Sequence, residues 1–263
     1  MPAWNASWIS LASDPREDLG VFAFRRAFQA PSLSDGSVDR EGAAGDLSGL
    51  PIRVSADNRY KLYCNGEFVG MGPQRGDERH WFYETYDLAP FVQEGENWLL
   101  ALVWNFGRWA PMAQHSARTG FVCEGLTAEL DISTPHGWEV RRIESWSFDM
   151  MHAGVGEFYI DVGPGEIIRA GRETSSLVCV HPAEPGKGLE WQKAHVICSA
   201  EERGASGGGT PWMLIPRSIP AMRYEQRWKA PTIRRGFIGD LAGEGPTDGT
   251  PLWDEARNVL RKR

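Results

Sequence analysis

The sequence predicts an all-β chain, folded as a sandwich or jelly roll. Apolar runs are short, and several alternate with period two, the signature of half-buried strands. Clusters of Gly, Pro, Asn and Asp separate them, as turns require. No segment before residue 250 carries helical periodicity.

Taken in order, VFAFRRAF at 21–28 is a predicted strand, and residues 31–50, rich in Gly, Ser and Asp, form a long polar loop. Two hairpin arms follow at about 52–63 and 67–72, joined by Asn65-Gly66. Both turn residues tolerate positive φ, which a two-residue type I′ turn needs. PQRGDERH at 73–80 is a charged loop, WFYETYDL a half-buried strand, and APFVQEG at most a short turn of helix. After the turn at Gly95-Glu96-Asn97, WLLALVW at 98–104 suits a strand buried on both faces. FVCEGLTAELDIS predicts one further strand, with Leu126, Ala128, Leu130 and Ile132 in alternation and a bulge at Gly125. Pro135-His136-Gly137 turns the chain into WEVRRIESWSF, and short strands are expected at 158–162, 177–180 and 194–198. Residues 236–249 hold five glycines and read as linker. Beyond them Thr250 caps a predicted helix, with Pro251 at its first position and Leu252, Ala256, Val259 and Leu260 on one face.

The 263 residues suffice for one large β domain or two small ones, and the net charge is −7. An acidic chain offers no basic field to nucleic acid or to an anionic membrane, so neither is an expected partner. No apolar run is long enough to span a bilayer. The start, MPAWNASWIS, lacks a basic region followed by a long apolar one, so a cytoplasmic location is expected. Cys64, Cys123, Cys179 and Cys198 show no metal-ligand spacing and read as small buried hydrophobes in a reducing compartment.

Most catalytic signatures fail. Gly204-Ala205-Ser206-Gly207-Gly208 matches GxSxG in letters but lacks the strand and helix of a nucleophile elbow. The six histidines are scattered without ligand spacing. Glu157 with Asp161, and Glu78 with Glu84, could act as acid pairs in glycoside hydrolysis. Among 35 acidic residues such pairs also arise by chance on solvated faces. The least random cluster is WNFGRWAP at 104–111. Trp104 or Trp109 could stack on a sugar ring while Arg108 and Asn105 bond its hydroxyls. Equally, both rings could cap the sandwich with Arg108 in solvent. Asp57-Asn58 marks a second loop mouth, or an ordinary Asx turn.

Tyr60-Lys61-Leu62-Tyr63-Cys64-Asn65-Gly66-Glu67-Phe68-Val69-Gly70, then Tyr86-Asp87-Leu88, then Glu94-Gly95-Glu96-Asn97, resemble the N-terminal β-sandwich of bacterial α-L-rhamnosidases. Glu144-Ser145-Trp146, Trp191 with Ala194, and the stretch Pro211 to Pro220 continue the resemblance in order. It implies a galactose-binding-like jelly-roll over 1–200, a connector at 201–235, and a linker with short helix at 236–263. In that family a later helical barrel carries catalysis, and this chain has no stretch for one. The resemblance therefore implies a carbohydrate-binding or accessory module with no catalytic residue and no activity alone. A rhamnose-containing glycan and a separate catalytic chain are the implied partners. Some sandwiches of the family bind rhamnose through a loop-mouth calcium, which leaves calcium open here, with Asp57 and Asn105 as ligands. The site residues expected to contact carbohydrate are Asp57, Asn58, Trp104, Asn105, Arg108 and Trp109. The alternatives are a small glycosidase and a purely structural domain that docks through its C-terminal helix.

Overall fold

The computed structural model describes residues 3–11, 19–30, 49–128, 130–149, 163–179, 184–204 and 210–221, apart from the side chains of residues 108, 178 and 179. All of these lie in the first of two units, 1–222 and 223–263. The expected strand at 158–162 and the expected linker and helix at 236–263 fall outside the described residues.

The strands are β1 (Ser7–Ser10), β2 (Gly20–Gln29), β3 (Pro51–Asp57), β4 (Arg59–Cys64), β5 (Glu67–Gly72), β6 (Trp81–Asp87), β7 (Glu96–Asn105), β8 (Gly120–Gly125), β9 (Glu139–Arg142), β10 (Trp146–Asp149), β11 (Gly165–Ile168), β12 (Gln192–Lys193), β13 (His195–Ser199), β14 (Glu201–Glu202) and β15 (Met213–Pro216). One sheet runs β13-β1-β8-β3-β6-β15-β14 and the other β12-β9-β2-β7-β4-β5, while β10 and β11 form a separate ribbon. Ile52, Val54, Ala56, Phe121 and Cys123 of the first sheet share one core with Phe22, Phe24, Tyr60, Leu62, Leu99, Ala101 and Val103 of the second. The chain is a β-sandwich. Among the described residues no helix is long and apolar enough to cross a membrane.

Both outer faces carry apolar clusters as well. Trp8, Trp81, Val122, Trp212 and Leu214 cluster on the outside of the first sheet, where Trp8 stacks on Trp212 with ring centroids 4.2 Å apart. On the outside of the second sheet, Val21, Ala23, Leu100, Leu102 and Trp104 pack against Ile143, Trp146 and Leu177. This explains why WLLALVW is apolar at every position: β7 is buried on both sides.

The predicted hairpin forms. Asn65 and Gly66 take φ of 49° and 81°, as a type I′ turn requires. Asn65 then ties the turn to the next strand: its Oδ1 accepts from Trp98 N at 3.0 Å, and its Nδ2 donates to Asn97 Oδ1 at 2.7 Å. Gly70 sits against the ring of Tyr86, and any Cβ there would overlap it. Gly70→Ala is expected to displace that ring and break the 3.0 Å contact between the Tyr60 and Tyr86 hydroxyls. A loss of about 2 kcal/mol in chemical denaturation is the expected result. An unchanged midpoint would show that the ring moves at no cost.

Four expectations are corrected. The arm at 52–63 is two strands in different sheets, β3 and β4, separated at Asn58. The strand predicted through 126–132 stops at Gly125, because the chain folds back there. A Cβ at Gly125 would collide with the Leu130 carbonyl, so glycine is what permits the reversal. Leu126 is left exposed while Leu130 and Ile132 are buried. Residues 172–179 form an α-helical turn, Arg172–Thr174, running into a π-helical turn, Ser175–Cys179, where a strand was expected at 177–180. Finally, the stretch read as a connector contributes β14 and β15 to the first sheet, with β15 pairing parallel to β6.

Candidate functional site

The outer face of the second sheet is only partly covered. Where the ribbon ends, a cleft of about 650 Å³ opens over β4, β5 and the end of β7. Arg59, Lys61, Met71 and Trp104 come from these strands, and Trp146 and Glu166 from the ribbon. Gln74 and Arg75 follow β5, Phe106 and Gln114 follow β7, and Arg217 and Ile219 follow β15.

Register dictates the arrangement. In the antiparallel pair β4–β7, Arg59 stands opposite Trp104. Paired residues share a face, so the alternation that buries Tyr60, Leu62 and Cys64 presents Arg59 and Lys61 beside the indole. The Lys61 Nζ lies 5.8 Å from the centre of the Trp104 ring. Trp104 meets Trp146 edge-on, with ring centroids 5.2 Å apart and planes at 90°. The Trp146 indole donates to Glu166 Oε2 at 2.9 Å, which fixes both side chains. The Trp104 indole N–H is buried and has no acceptor among the described residues.

Arg59 donates from Nε to Gln114 Oε1 at 3.0 Å and lies over the Phe106 ring at 5.0 Å. Partial burial pulls its ionisation below the usual arginine value, the neighbouring Arg75 pulls it further, and Glu166 acts the other way. Arg217 is committed elsewhere: Nη1 donates to buried Glu84 at 2.6 Å, and Nε and Nη2 reach the Ile219 and Pro220 carbonyls.

Among the described side chains expected to contact sugar, Trp104 alone lines this cleft. Trp109 is half-buried in the turn after β7, and the Arg108 side chain lies outside the described residues. Asp57, Asn58 and Asn105 are in the interior. Asp57 Oδ2 accepts from Ala117 N at 2.7 Å, Arg118 N at 3.3 Å and Trp212 Nε1 at 3.0 Å, and Oδ1 accepts from Asn58 Nδ2 at 2.5 Å. Asn58 Oδ1 accepts from Phe106 N at 2.9 Å, and Asn105 Oδ1 from Gly107 N at 2.8 Å. These polar groups hold strand ends and loops together. They also do not fit a calcium ion, because the oxygens it would need already face N–H donors. Among the described residues no cluster of three or more acidic, His or Cys side chains could hold a metal. Glu78 and Glu84 do not form a free acid pair, since Glu84 is buried against Arg217. Glu157 and Asp161 lie outside the described residues. Cys64 and Cys123 are buried free thiols, as expected, and burial pushes the Cys64 thiol up to about 12.

No family model matches this chain, and no curated protein does. Solved structures do. A GH78 family rhamnosidase of Bacillus sp. GL1 superposes with a TM-score of 0.60 at 24% identity, over 84% of this chain and 20% of the enzyme. The fold is that of one region of a rhamnosidase. The chain spans about a fifth of the length of the enzyme it matches. The α-L-rhamnosidase from Dictyoglumus thermophilum gives 0.40 at 15% identity, over 64% of this chain and 21% of that one. The lectin of Pleurotus ostreatus gives 0.41 at 15% identity, over 84% and 47%. At scores this low the last two add nothing to the fold assignment.

The residues that sequence reasoning missed are Arg59, Lys61, Arg75, Trp146 and Glu166. Arg59-x-Lys61 was visible as the polar side of an alternating strand, but only the β4–β7 register places it next to Trp104.

Proposed function

We propose that this chain is a carbohydrate-binding module, accessory to a rhamnosidase-like glycoside hydrolase and not itself hydrolytic. The cleft carries the reading. It sets two indoles at right angles, beside polar groups able to bond hydroxyls, on a sandwich whose fold a rhamnosidase shares. Glycosidic hydrolysis ordinarily uses two carboxylates about 5–10 Å apart. Among the described residues that line the cleft, Glu166 is the sole acid, and it is engaged by Trp146. Terminal L-rhamnose is the sugar that the structural likeness favours, with a separate chain supplying catalysis. The free thiols suit a cytoplasmic location.

The test is a glycan array followed by calorimetric titration of the full chain with rhamnose-terminated oligosaccharides, with and without calcium. Retention on the array is expected, with no dependence on calcium. Trp104→Ala should weaken binding by about tenfold or more. Because Trp104 also packs on Trp146, Trp104→Phe serves as the second variant: it keeps a ring and removes the N–H. If no saccharide is retained under either condition, the proposal fails. Turnover of an aryl α-L-rhamnoside by the purified chain would overturn its non-hydrolytic part.

A further inference from the structure

We infer that the saccharide held in this cleft is anionic, bearing a uronate carboxylate or a sulfate ester that Arg59 and Arg75 receive. The inference rests on the cleft being a sugar site and names the class of sugar.

The cations are unevenly matched. Arg217 is neutralised by Glu84 and held by two carbonyls, so it is structural. Arg59 has Gln114 and the Phe106 face as neighbours, but no carboxylate pairs with it among the described residues. Arg75 is exposed at the rim and makes no hydrogen bond or ion pair among the described residues. The two guanidinium groups are close enough to repel, and the single acid of the described lining is Glu166. An anion between Arg59 and Arg75 would relieve that repulsion and gain charge-assisted hydrogen bonds, bidentate where a planar carboxylate meets a guanidinium fork. The chain as a whole carries −7, so this positive field is local to the cleft and opposes the general charge. Adhesion of polyanions to the rest of the surface is therefore disfavoured, and the cleft is where an acidic glycan would be held.

The experiment is calorimetric titration of the full chain with three probes at low and high salt. They are trigalacturonate, its carboxyl-reduced neutral counterpart, and a carrageenan-derived sulfated oligosaccharide. One or both acidic probes should bind about tenfold more tightly than the neutral one, with the gap narrowing at high salt. The tighter acidic arm identifies the anion. In Arg59→Gln/Arg75→Gln the preference should shrink to within about twofold. Arg75→Gln alone, at an exposed position, is expected to keep the fold and lose part of the preference, and thermal melts of both variants check this. Equal affinity for acidic and neutral probes would overturn this inference and leave the sugar-binding proposal standing. So would binding of rhamnose-terminated sugars without binding of either acid. An acidic preference that survives the double variant would also overturn it, since the anion would then be bound elsewhere. If neither these probes nor the array sugars bind, both proposals fall together.

Discussion

Glu124→Ala is expected to destabilise the chain by about 3–5 kcal/mol, measured by urea denaturation. Glu124 sits on β8 opposite Arg53 of β3 and is 2% exposed, while Arg53 is 4% exposed. Two guanidinium nitrogens donate to Glu124 Oε2, with Nε at 3.0 Å, and Asn5 N donates to Oε1 at 2.6 Å. The guanidinium lies over the Trp4 ring at 4.1 Å and faces Tyr83 at 5.7 Å. Removing the carboxylate leaves a cation in this aromatic box with Glu202, at 3.3 Å, as its remaining acidic partner among the described residues, and orphans the Asn5 N–H. The cost comes chiefly from the stranded charge, not from the pair's net worth. Replacing both partners by apolar residues, as in Arg53→Met/Glu124→Leu, should therefore recover most of the stability. If the double variant is no more stable than the single, hydrogen bonding by the pair, and not desolvation of one charge, dominates.

The parts of the fold legible in the sequence are those set by local chemistry. Asn65-Gly66 announces its turn because few residue pairs accept positive φ twice, and the structure has both. The seven apolar residues of WLLALVW announce a strand covered on both faces, and the ribbon supplies the second cover. The breaks were not legible, because long-range partners make them. The polar run Asp57-Asn58-Arg59 interrupts the alternation and reads as a loop mouth or a turn, but nothing local says that the chain changes sheets there. Asn58 is held by Trp104 O, which accepts its N–H at 3.0 Å, and by Phe106 N, both more than forty residues away. At 126–132 the letters alternate, but the chain has already reversed at Gly125. Only contact with the Leu130 carbonyl reveals why.

The candidate site divides in the same way. Trp104 was readable from its position at the end of a buried strand. Its companions were not, because they come from four other parts of the chain and meet only through sheet register and the fold-over of the ribbon. Asp57, Asn58 and Asn105 misled for a physical reason. Short polar side chains at strand ends look alike from the sequence whether they face a ligand or satisfy the backbone of the next loop.

The internal role of Asp57 makes it the site of the second large effect. Its Oδ2 is the acceptor shared by the 116–118 loop, through Ala117 N and Arg118 N, and by Trp212 Nε1. Trp212 in turn stacks on Trp8 and meets Trp81, so the carboxylate anchors the outer aromatic cluster of the first sheet. Asp57→Ala would leave the buried Trp212 N–H and the two part-buried amides without this acceptor, at roughly 1–3 kcal/mol each before relaxation, and a total loss of about 3–5 kcal/mol is expected. Asp57→Asn keeps the shape and one acceptor oxygen, so its loss should be smaller, and it removes the titrating group. Burial raises the Asp57 carboxyl above its usual 3.8, outweighing the hydrogen bonds from Ser116, Ala117, Trp212 and Asn58. The folded chain thus holds this proton more tightly than the unfolded chain does. That contribution to stability is complete below pH 3.8 and is lost as pH rises through the higher folded value. The melting temperature of the unsubstituted chain, taken relative to Asp57→Asn, should accordingly improve as the buffer is taken from neutrality toward about pH 4. A difference that stays flat over that range would mean that the four donors hold the carboxylate ionised in spite of its burial.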